Sequence, residues 1–246
     1  MGYKLTWMYI GQDKIRPTWW SPNSNTVAYR PLTNDLNDIV GGHNLTSNWS
    51  DYSFTTDSQW KNCLALNLGS TSSTTYLENN SVHSQIDMTK SYTFAFKIWE
   101  WIVRTSSWAS TKVFSFGYQI GVGTYAQYTE AGSPAENGAL LTPWEWIGDG
   151  GDTWLVTVAN APHVNDATMH SCIITRNVGV WFEAYVDWTL IVSWTRGWTY
   201  NTPSTFILGR DMYDNWQWRY VAAKLSHCVI EEWVWDNDRM SAYNNM

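Results

Sequence analysis

The sequence predicts an all-β fold, an antiparallel sandwich of two sheets that ends in a short helix. Runs of β-branched and aromatic residues alternate with polar residues and are separated by turn-forming residues, which is the pattern of half-buried strands. The 246 residues are 44% hydrophobic and 16% aromatic, enough for one large core. A sandwich of this length need not divide into smaller domains. Helical character is confined to the last ten residues.

Two consecutive hairpins are predicted between residues 169 and 195. Residues 173–175 form an apolar β-branched run, and 176–179 supply a turn. Residues 182–187 alternate from side to side as a strand facing a core does, and Asp187 opens a second turn before the next apolar run. Further segments lie at 25–32, 91–99, 112–118, 204–211, 223–235 and 236–245. Their similarity to a known family of domains, described next, implies that the first five are strands and the last is a terminal helix.

In this order, the segments resemble the laminin-G/concanavalin-A-like superfamily of jelly-roll domains, in its bacterial or phage LamG-like form. The resemblance is carried by Tyr185-Val186-Asp187, by Leu208-Gly209-Arg210-Asp211, by SYTFAFKIW at 91–99 and by AKLSHCVIEEWVW at 223–235. One departure is Trp188, which stands where those proteins have glycine. The resemblance implies a two-sheet antiparallel jelly-roll sandwich with a short C-terminal helix, and this fold carries many different functions.

The chain divides into an N-terminal arm or extra strand, residues 1–24, and a single sandwich domain, residues 25–246. Residues 121–142 and 143–152 contain glycine and proline and are predicted as two long polar loops. Long loops on the rim of a sandwich are a common location of binding sites. The candidate ligand-binding residues of the second loop are Trp144, Trp146, Asp149 and Asp152.

Charge and cysteine content exclude some classes of partner. The net charge of −7 and the pI near 5.1 argue against phosphate-directed binding of nucleic acid. No apolar run approaches the roughly 20 residues that span a membrane, and no segment of signal-peptide type opens the sequence. Three cysteines without paired spacing predict reduced, buried thiols. The chain is therefore expected to be synthesised in the cytoplasm.

The 19 tryptophans include several at positions where a sandwich favours a turn residue. In a type I′ turn the residue after Asn or Asp has a positive φ, which costs little for glycine and more for a bulky side chain. Three explanations remain open: an aromatic binding surface, core and turn residues tolerated by longer loops, or UGA codons that mean glycine in the source organism. The last predicts in-frame TGA codons for Trp188, Trp194, Trp198 and Trp216.

Catalytic and metal-binding patterns are sparse. Related glucanases carry carboxylates at alternating strand positions, whereas here Glu183 and Asp187 are four residues apart and Asp187 belongs to a turn, so no catalytic residue is predicted. The resemblance allows one Ca²⁺ ion at the sandwich edge, because relatives bind calcium with Asp, Asn and carbonyl oxygens. The candidate ligands are Asp35, Asp38, Asp211 and Asp214. Asx-turn residues that bond their own backbone are the alternative interpretation.

The resemblance implies non-catalytic recognition or assembly at an outer surface. A glycan or surface polysaccharide is the expected ligand, bound by rim loops and aromatic stacking, with calcium optional. The chain is expected to be a phage tail or decoration protein, displayed on a virion, or a surface adhesin. Virion proteins and further copies in a homo-oligomer are its expected partners, without nucleic acid or membrane. The alternatives are a purely structural subunit without ligand and, third, a glycoside hydrolase of the same superfamily.

Overall fold

The computed structural model describes twelve stretches of the chain. They are residues 20–59, 61–68, 75–81, 89–100, 110–116, 120–125, 140–147, 151–154, 168–178, 181–194, 205–210 and 222–246. The strands in them are β1 (Thr26–Arg30), β2 (Thr46–Ser47), β3 (Tyr52–Thr56), β4 (Asn62–Leu66), β5 (Leu77–Asn79), β6 (Tyr92–Glu100), β7 (Ser110–Phe116), β8 (Ile120–Tyr125), β9 (Leu140–Ile147), β10 (Gly151–Trp154), β11 (His170–Asn177), β12 (Trp181–Val186), β13 (Thr189–Trp194), β14 (Phe206–Leu208) and β15 (Ala223–Glu231). One helix, α1 (Asn237–Asn244), follows.

These strands form two antiparallel sheets, the jelly-roll sandwich that the sequence predicts. The first sheet has the order β13-β12-β11-β6-β15-β4-β3, with β1 also paired to β15. The second has the order β10-β9-β8-β7-β14-β5-β2. The predicted hairpins are confirmed, since β11 pairs with β12 and β12 with β13.

A hydrophobic core lies between the sheets because alternate residues of each strand point inward. On β6 the inward residues include Phe94, Phe96 and Ile98, and on β14 they are Phe206 and Leu208. All five are at most 2% exposed. Burial of this apolar surface is the main stabilisation of the fold.

The first sheet is also covered on its outer face. Helix α1 packs there through Met240 and Tyr243, beside Trp20 and Trp235. Asp236 caps the helix by accepting a hydrogen bond from the Arg239 N–H at 2.8 Å, as Asp does at helix N-termini. The central strands are therefore covered on both sides, which explains why β11 is buried at seven consecutive residues, His170 to Arg176, without alternation.

Buried Glu231 ties the helix to the sheet. Its carboxylate, 0% exposed, accepts hydrogen bonds from Thr26 Oγ1 at 2.8 Å, from the Trp235 indole N–H and from the Arg239 guanidinium. The guanidinium also stacks 4.8 Å from the ring of Trp20. The Glu231 carboxylate of β15 thus connects β1 and α1 through hydrogen bonds.

A β-bulge divides β15 between two neighbours. Residues 223–225 pair with β4 and residues 228–231 pair with β1. His227 lies at the bulge with φ of 53°, and its N–H donates to the Pro31 carbonyl at 2.9 Å. The bulge turns the His227 ring toward Tyr29, whose hydroxyl lies 2.8 Å from Nδ1.

The prediction of two long loops is wrong. The segments predicted as loops at 121–142 and 143–152 contain most of β8, all of β9 and the start of β10. Proline favours loops because it cannot donate to a ladder, but Pro143 pairs with Val122 of β8 and lies beyond the last pair with β10, Trp144↔Trp154.

The last strand is shorter than the predicted strand 223–235. Strand β15 stops at Glu231, and an irregular stretch leads from there to the helix cap. Residues 1–19 of the predicted arm lie outside the described residues. Trp20 is 5% exposed and packs 4.8 Å, ring centre to ring centre, from Tyr29. The end of the predicted arm thus belongs to the outer layer.

Candidate functional site

The β9–β10 hairpin brings together three of the predicted ligand-binding residues. Asp152 of β10 is the register partner of Trp146 of β9, and Trp154 is the partner of Trp144. Register partners lie on the same face of an antiparallel pair, and so do residues two apart on one strand. Three tryptophans and one aspartate therefore occupy adjacent positions on a single face.

The register also shows which face this is. Leu208, Phe114, Val122 and Pro143 are successive partners across β14, β7, β8 and β9 and form one row. Leu208 is buried in the core between the sheets, so this row is on the inner face. Trp144 follows Pro143 and belongs to the opposite, outer face of the sheet. Because β10 is the edge strand, the four positions lie at the sheet margin.

In the opening loop, the carboxylate of Asp38 serves the backbone. It is 6% exposed and accepts hydrogen bonds at 2.9–3.2 Å from the N–H groups of Tyr29, Val40, Gly41 and His43. Asp35 accepts from both the backbone and the side chain of Asn37, at 2.9 and 2.8 Å. This arrangement matches the Asx-turn interpretation. Both oxygens of Asp38 accept N–H groups in this arrangement.

The remaining predicted site residues are not brought to this loop by the described structure. Asp149, Asp211 and Asp214 lie outside the described residues, as do Trp198 and Trp216. Within the described part of the chain, no group of three or more His, Cys, Asp or Glu side chains is arranged to hold a metal ion. The calcium role of Asp35, Asp38, Asp211 and Asp214 stays a prediction.

The β12–β13 turn has the conformation that the sequence predicts. Val186 pairs with Thr189, so the loop has two residues, Asp187 with φ of 45° and Trp188 with φ of 73°. Two positive φ values define a type I′ turn, and Trp188 occupies the position that favours glycine. Trp194, in contrast, lies in β13 opposite Phe182 and not in a turn, so its placement among the turn tryptophans is wrong.

Asp187 has a second role that sequence reasoning missed. Its Oδ2 lies 2.6 Å from His170 Nδ1, its Oδ1 accepts from the Ser171 N–H at 2.9 Å, and Thr168 Oγ1 lies 3.2 Å from His170 Nε2. Burial would raise the pKa of Asp187, but the hydrogen bonds from His170 and Ser171 outweigh it and lower the pKa. Counting from the pair Cys172↔Val186 would have placed Asp187 opposite Ser171, the chain neighbour of His170.

Paired carboxylates of hydrolase type do not form from the predicted pair. Glu183 accepts from the Tyr185 hydroxyl at 2.6 Å and lies 3.4 Å from Ser193 Oγ, whereas Asp187 bonds His170 and Ser171. Each carboxylate is thus engaged with its own partners. Glu231 is buried, whereas its neighbour Glu232 forms an ion pair with Lys90, so these two carboxylates do not face each other.

A shallow polar cleft of about 370 Å³ lies beside β1. Asn25, Thr26, Gly41 and Glu232 line it, and a side chain at Gly41 would meet the Val27 carbonyl at 2.2 Å. The cleft therefore depends on glycine at this position. Trp233, next to Glu232 in the chain, is 57% exposed.

No helix in the described part of the chain is long and apolar enough to cross a membrane. All three cysteines are free and buried, as their spacing predicts. Cys172 and Cys228 lie in the core between the sheets, where burial raises the pKa of each thiol. A buried thiol with a raised pKa is a poor nucleophile and metal ligand.

The fold defines a jelly-roll β-sandwich domain, and solved structures share it. Domain 4 of AbnA, a GH43 extracellular arabinanase from Geobacillus stearothermophilus in complex with arabinotriose, matches with a TM-score of 0.62 and 12% identity, over 88% of this chain and 97% of that chain. The binding domain of botulinum neurotoxin serotype D/C matches with a TM-score of 0.61 and 12% identity, over 90% and 52%. The binding domain of Paraclostridial Mosquitocidal Protein 1 gives 0.62 and 13%, over 89% and 51%.

The chain spans about half the length of the two toxin binding domains. No protein-family model matches the sequence, and no curated protein matches it. At 12–13% identity the structural likeness establishes the fold alone.

Proposed function

We propose that this protein is a non-catalytic carbohydrate-binding module of LamG-like type, with the outer face of the β9–β10 hairpin as its binding surface. The observation that carries the proposal is the shared face of Trp144, Trp146, Asp152 and Trp154. Tryptophan rings stack on the apolar faces of sugars, and a neighbouring carboxylate accepts hydrogen bonds from hydroxyl groups. A row of such positions at a sheet margin suits an extended glycan chain.

The structural neighbours support this proposal. One of them was solved with arabinotriose. For another neighbour, botulinum neurotoxin type C, cell entry depends on interaction with two ganglioside molecules. The separate partners of Glu183 and Asp187 favour binding over hydrolysis.

The test is a glycan-array screen of the whole chain, run in parallel with calcium and with EGTA. Binding is expected to fall at least about tenfold, roughly 1.4 kcal/mol, in the variants W144A and W146A. Trp49→Ala is the matched control, because Trp49 is 67% exposed and follows β2, the opposite edge strand of the same sheet. Equal losses in W49A and W146A would contradict the assignment of the surface.

The calcium arm tests the optional cofactor. Because the described Asp35 and Asp38 carboxylates are engaged by N–H groups and the Asn37 side chain, we expect binding that is unaffected by EGTA. Loss of binding in EGTA would instead direct attention to Asp211 and Asp214. Silence across a broad array would favour the structural subunit without ligand.

The proposed setting is a phage tail or decoration protein, or a surface adhesin, that acts as a homo-oligomer. Its support is the reduced, buried state of the three cysteines, which is the state expected after folding in the cytoplasm. Mass spectrometry of purified virions tests it, together with light scattering of the purified chain. Absence of the chain from virions would leave the adhesin.

A further inference from the structure

The shallow cleft beside β1 is separate from the β9–β10 surface. Strand β1 packs against another part of the second sheet, since the Arg30 guanidinium lies 5.1 Å from the ring centre of Phe206 in β14. Strand β14 is four strands away from β10 in that sheet, a distance of roughly 19 Å at the usual strand spacing. The cleft is therefore a candidate site of its own.

Hydrogen bonds fix the wall of the cleft that β1 and the end of β15 contribute. The Glu232 N–H donates to the Asn25 carbonyl oxygen at 3.0 Å. Thr26 Oγ1 accepts from the Asn23 N–H at 2.9 Å and donates to the buried carboxylate of Glu231 at 2.8 Å. The Thr26 hydroxyl is thus already engaged, and the backbone beside it is held in place before any ligand binds.

The opposite wall of the cleft is the loop at 38–41, which is held in the same way. The N–H groups of Val40 and Gly41 donate to the Asp38 carboxylate at 3.0 and 3.2 Å. Gly41 lies so close to β1 that a Cβ atom there would meet the Val27 carbonyl oxygen at 2.2 Å. Both walls are therefore preformed, and a preformed site loses little conformational entropy when a ligand binds.

The cleft offers uncharged polar groups beside an apolar surface. Ser24 and Asn25 line it and are exposed, and neither side chain forms a hydrogen bond within the described part of the chain. Glu232 lines it too, but its carboxylate pairs with the Lys90 ammonium at 2.9 Å, so its charge is compensated. Val40, 40% exposed, supplies apolar contact area.

We propose that this cleft binds one unit of a neutral sugar. A sugar hydroxyl both donates and accepts hydrogen bonds, as do the Asn25 amide and the Ser24 hydroxyl, and the C–H face of the ring would cover Val40. The volume of about 370 Å³ falls within the roughly 300–1,000 Å³ of small-ligand sites. Because the Glu232 charge is compensated, a charged ligand gains no ion pair there. The proposal stands whether or not the β9–β10 surface binds a glycan.

The experiment records amide NMR spectra of the full chain with glucose, galactose or arabinotriose added at millimolar concentration. Glycerol at an equal concentration of hydroxyl groups is the comparison ligand. At least one of the sugars is expected to give saturable shifts of the Asn25 and Gly41 amide signals, whereas glycerol is not. Cleft signals that none of the three sugars shifts, or that glycerol shifts as strongly, would overturn the proposal.

Variants identify the binding residues through the Gly41 signal. Asn25→Ala removes an exposed side chain without a hydrogen bond to the described residues, so it is expected to fold and to weaken sugar binding about tenfold, or 1.4 kcal/mol. Asn237→Ala is the matched control, because Asn237 is also exposed and is the first residue of α1, outside the cleft.

A second comparison separates the cleft from the β9–β10 surface. The double variant of Trp144 and Trp146 to alanine is expected to retain the full Gly41 shifts, even where its binding to a glycan array is lost. Equal sugar affinity of N25A and N237A, or loss of the Gly41 shifts in the tryptophan double variant, would refute the site.

Discussion

Trp188 and Asp187 are the two central residues of a hairpin turn, with φ of 73° and 45°. Left-handed backbone costs a residue with a Cβ atom roughly 1–2 kcal/mol, and only glycine adopts it freely. Trp188 is 37% exposed, so burial of its side chain offsets only part of that backbone cost. The backbone at this residue favours glycine, as the family pattern does.

Replacing Trp188 with glycine is therefore expected to raise the free energy of unfolding by roughly 0.5–1 kcal/mol. Urea denaturation of the two proteins measures the change. Trp233→Gly is the control, because Trp233 is also exposed but has an ordinary φ. There the substitution should lower stability, by about 0.5–1 kcal/mol. A loss of stability in W188G would contradict the strain argument.

The gene sequence gives an independent result for the same residue. If glycine is the residue that the source organism inserts, Trp188 is encoded by TGA, as are Trp198 and Trp216. Trp194 is the informative comparison, because it lies in β13, where a strand position does not require glycine. TGG at all four codons would exclude recoding and leave Trp188 as a strained native residue.

At the scale of elements, α1 is held by the buried carboxylate of Glu231. Glu231 is the last residue of β15, and its carboxylate accepts hydrogen bonds from Thr26 of β1 and from Arg239 of α1. Removing one member of a buried charge pair typically costs about 3–5 kcal/mol, because the partner is left uncompensated. Arg239 is 20% exposed in its side chain, so water recovers part of that cost.

We expect Glu231→Gln to lower the free energy of unfolding by about 2–3 kcal/mol. Amide hydrogen exchange should show the loss first in α1, since the helix loses its anchor. Glu232→Gln provides the matched control, because the neighbouring carboxylate forms a surface pair with Lys90, worth about 0–1 kcal/mol. If the two variants are equally stable, Glu231 does not anchor the helix.

Elements were more predictable than their boundaries. The hairpins at 169–195 follow from local patterns, since alternation acts over a few residues, and the terminal helix was implied by the family resemblance. Strands β9 and β10 were predicted as loops because Pro143 and the glycines near 150 are loop residues by local chemistry. Only the register shows that Pro143 lies beyond the ladder with β10.

In the candidate sites, too, local patterns could be predicted from the sequence and long-range pairing could not. Trp144, Trp146 and Asp152 could be selected from sequence as a tryptophan-rich, acidic stretch, but their common face comes from pairing. The proximity of Lys61, Lys97 and His227 could not be predicted, because these residues meet only when β4, β6 and β15 pair. Contacts between distant strands carry no signature in a single sequence.

At the scale of the whole molecule, His227 makes stability depend on pH. Burial and the two lysines lower the pKa of His227 to about 4 in the folded protein, against an ordinary value of about 6.5. The unfolded chain therefore binds more protons between these values, and the stability present above pH 6.5 is lost as the pH falls toward 4. Asp187, with its lowered pKa, adds a further loss only when the pH falls below its ordinary value.

The free energy of unfolding is thus expected to fall by about 1–2 kcal/mol between pH 7.5 and pH 5, as a pKa unit corresponds to about 1.4 kcal/mol and His227 is partly exposed. Urea denaturation at the two pH values measures it. His227→Asn should remove most of this dependence, since Asn accepts the left-handed backbone that His227 adopts and does not titrate. A wild-type protein equally stable at both pH values would show that the pKa of His227 is not lowered in the folded protein.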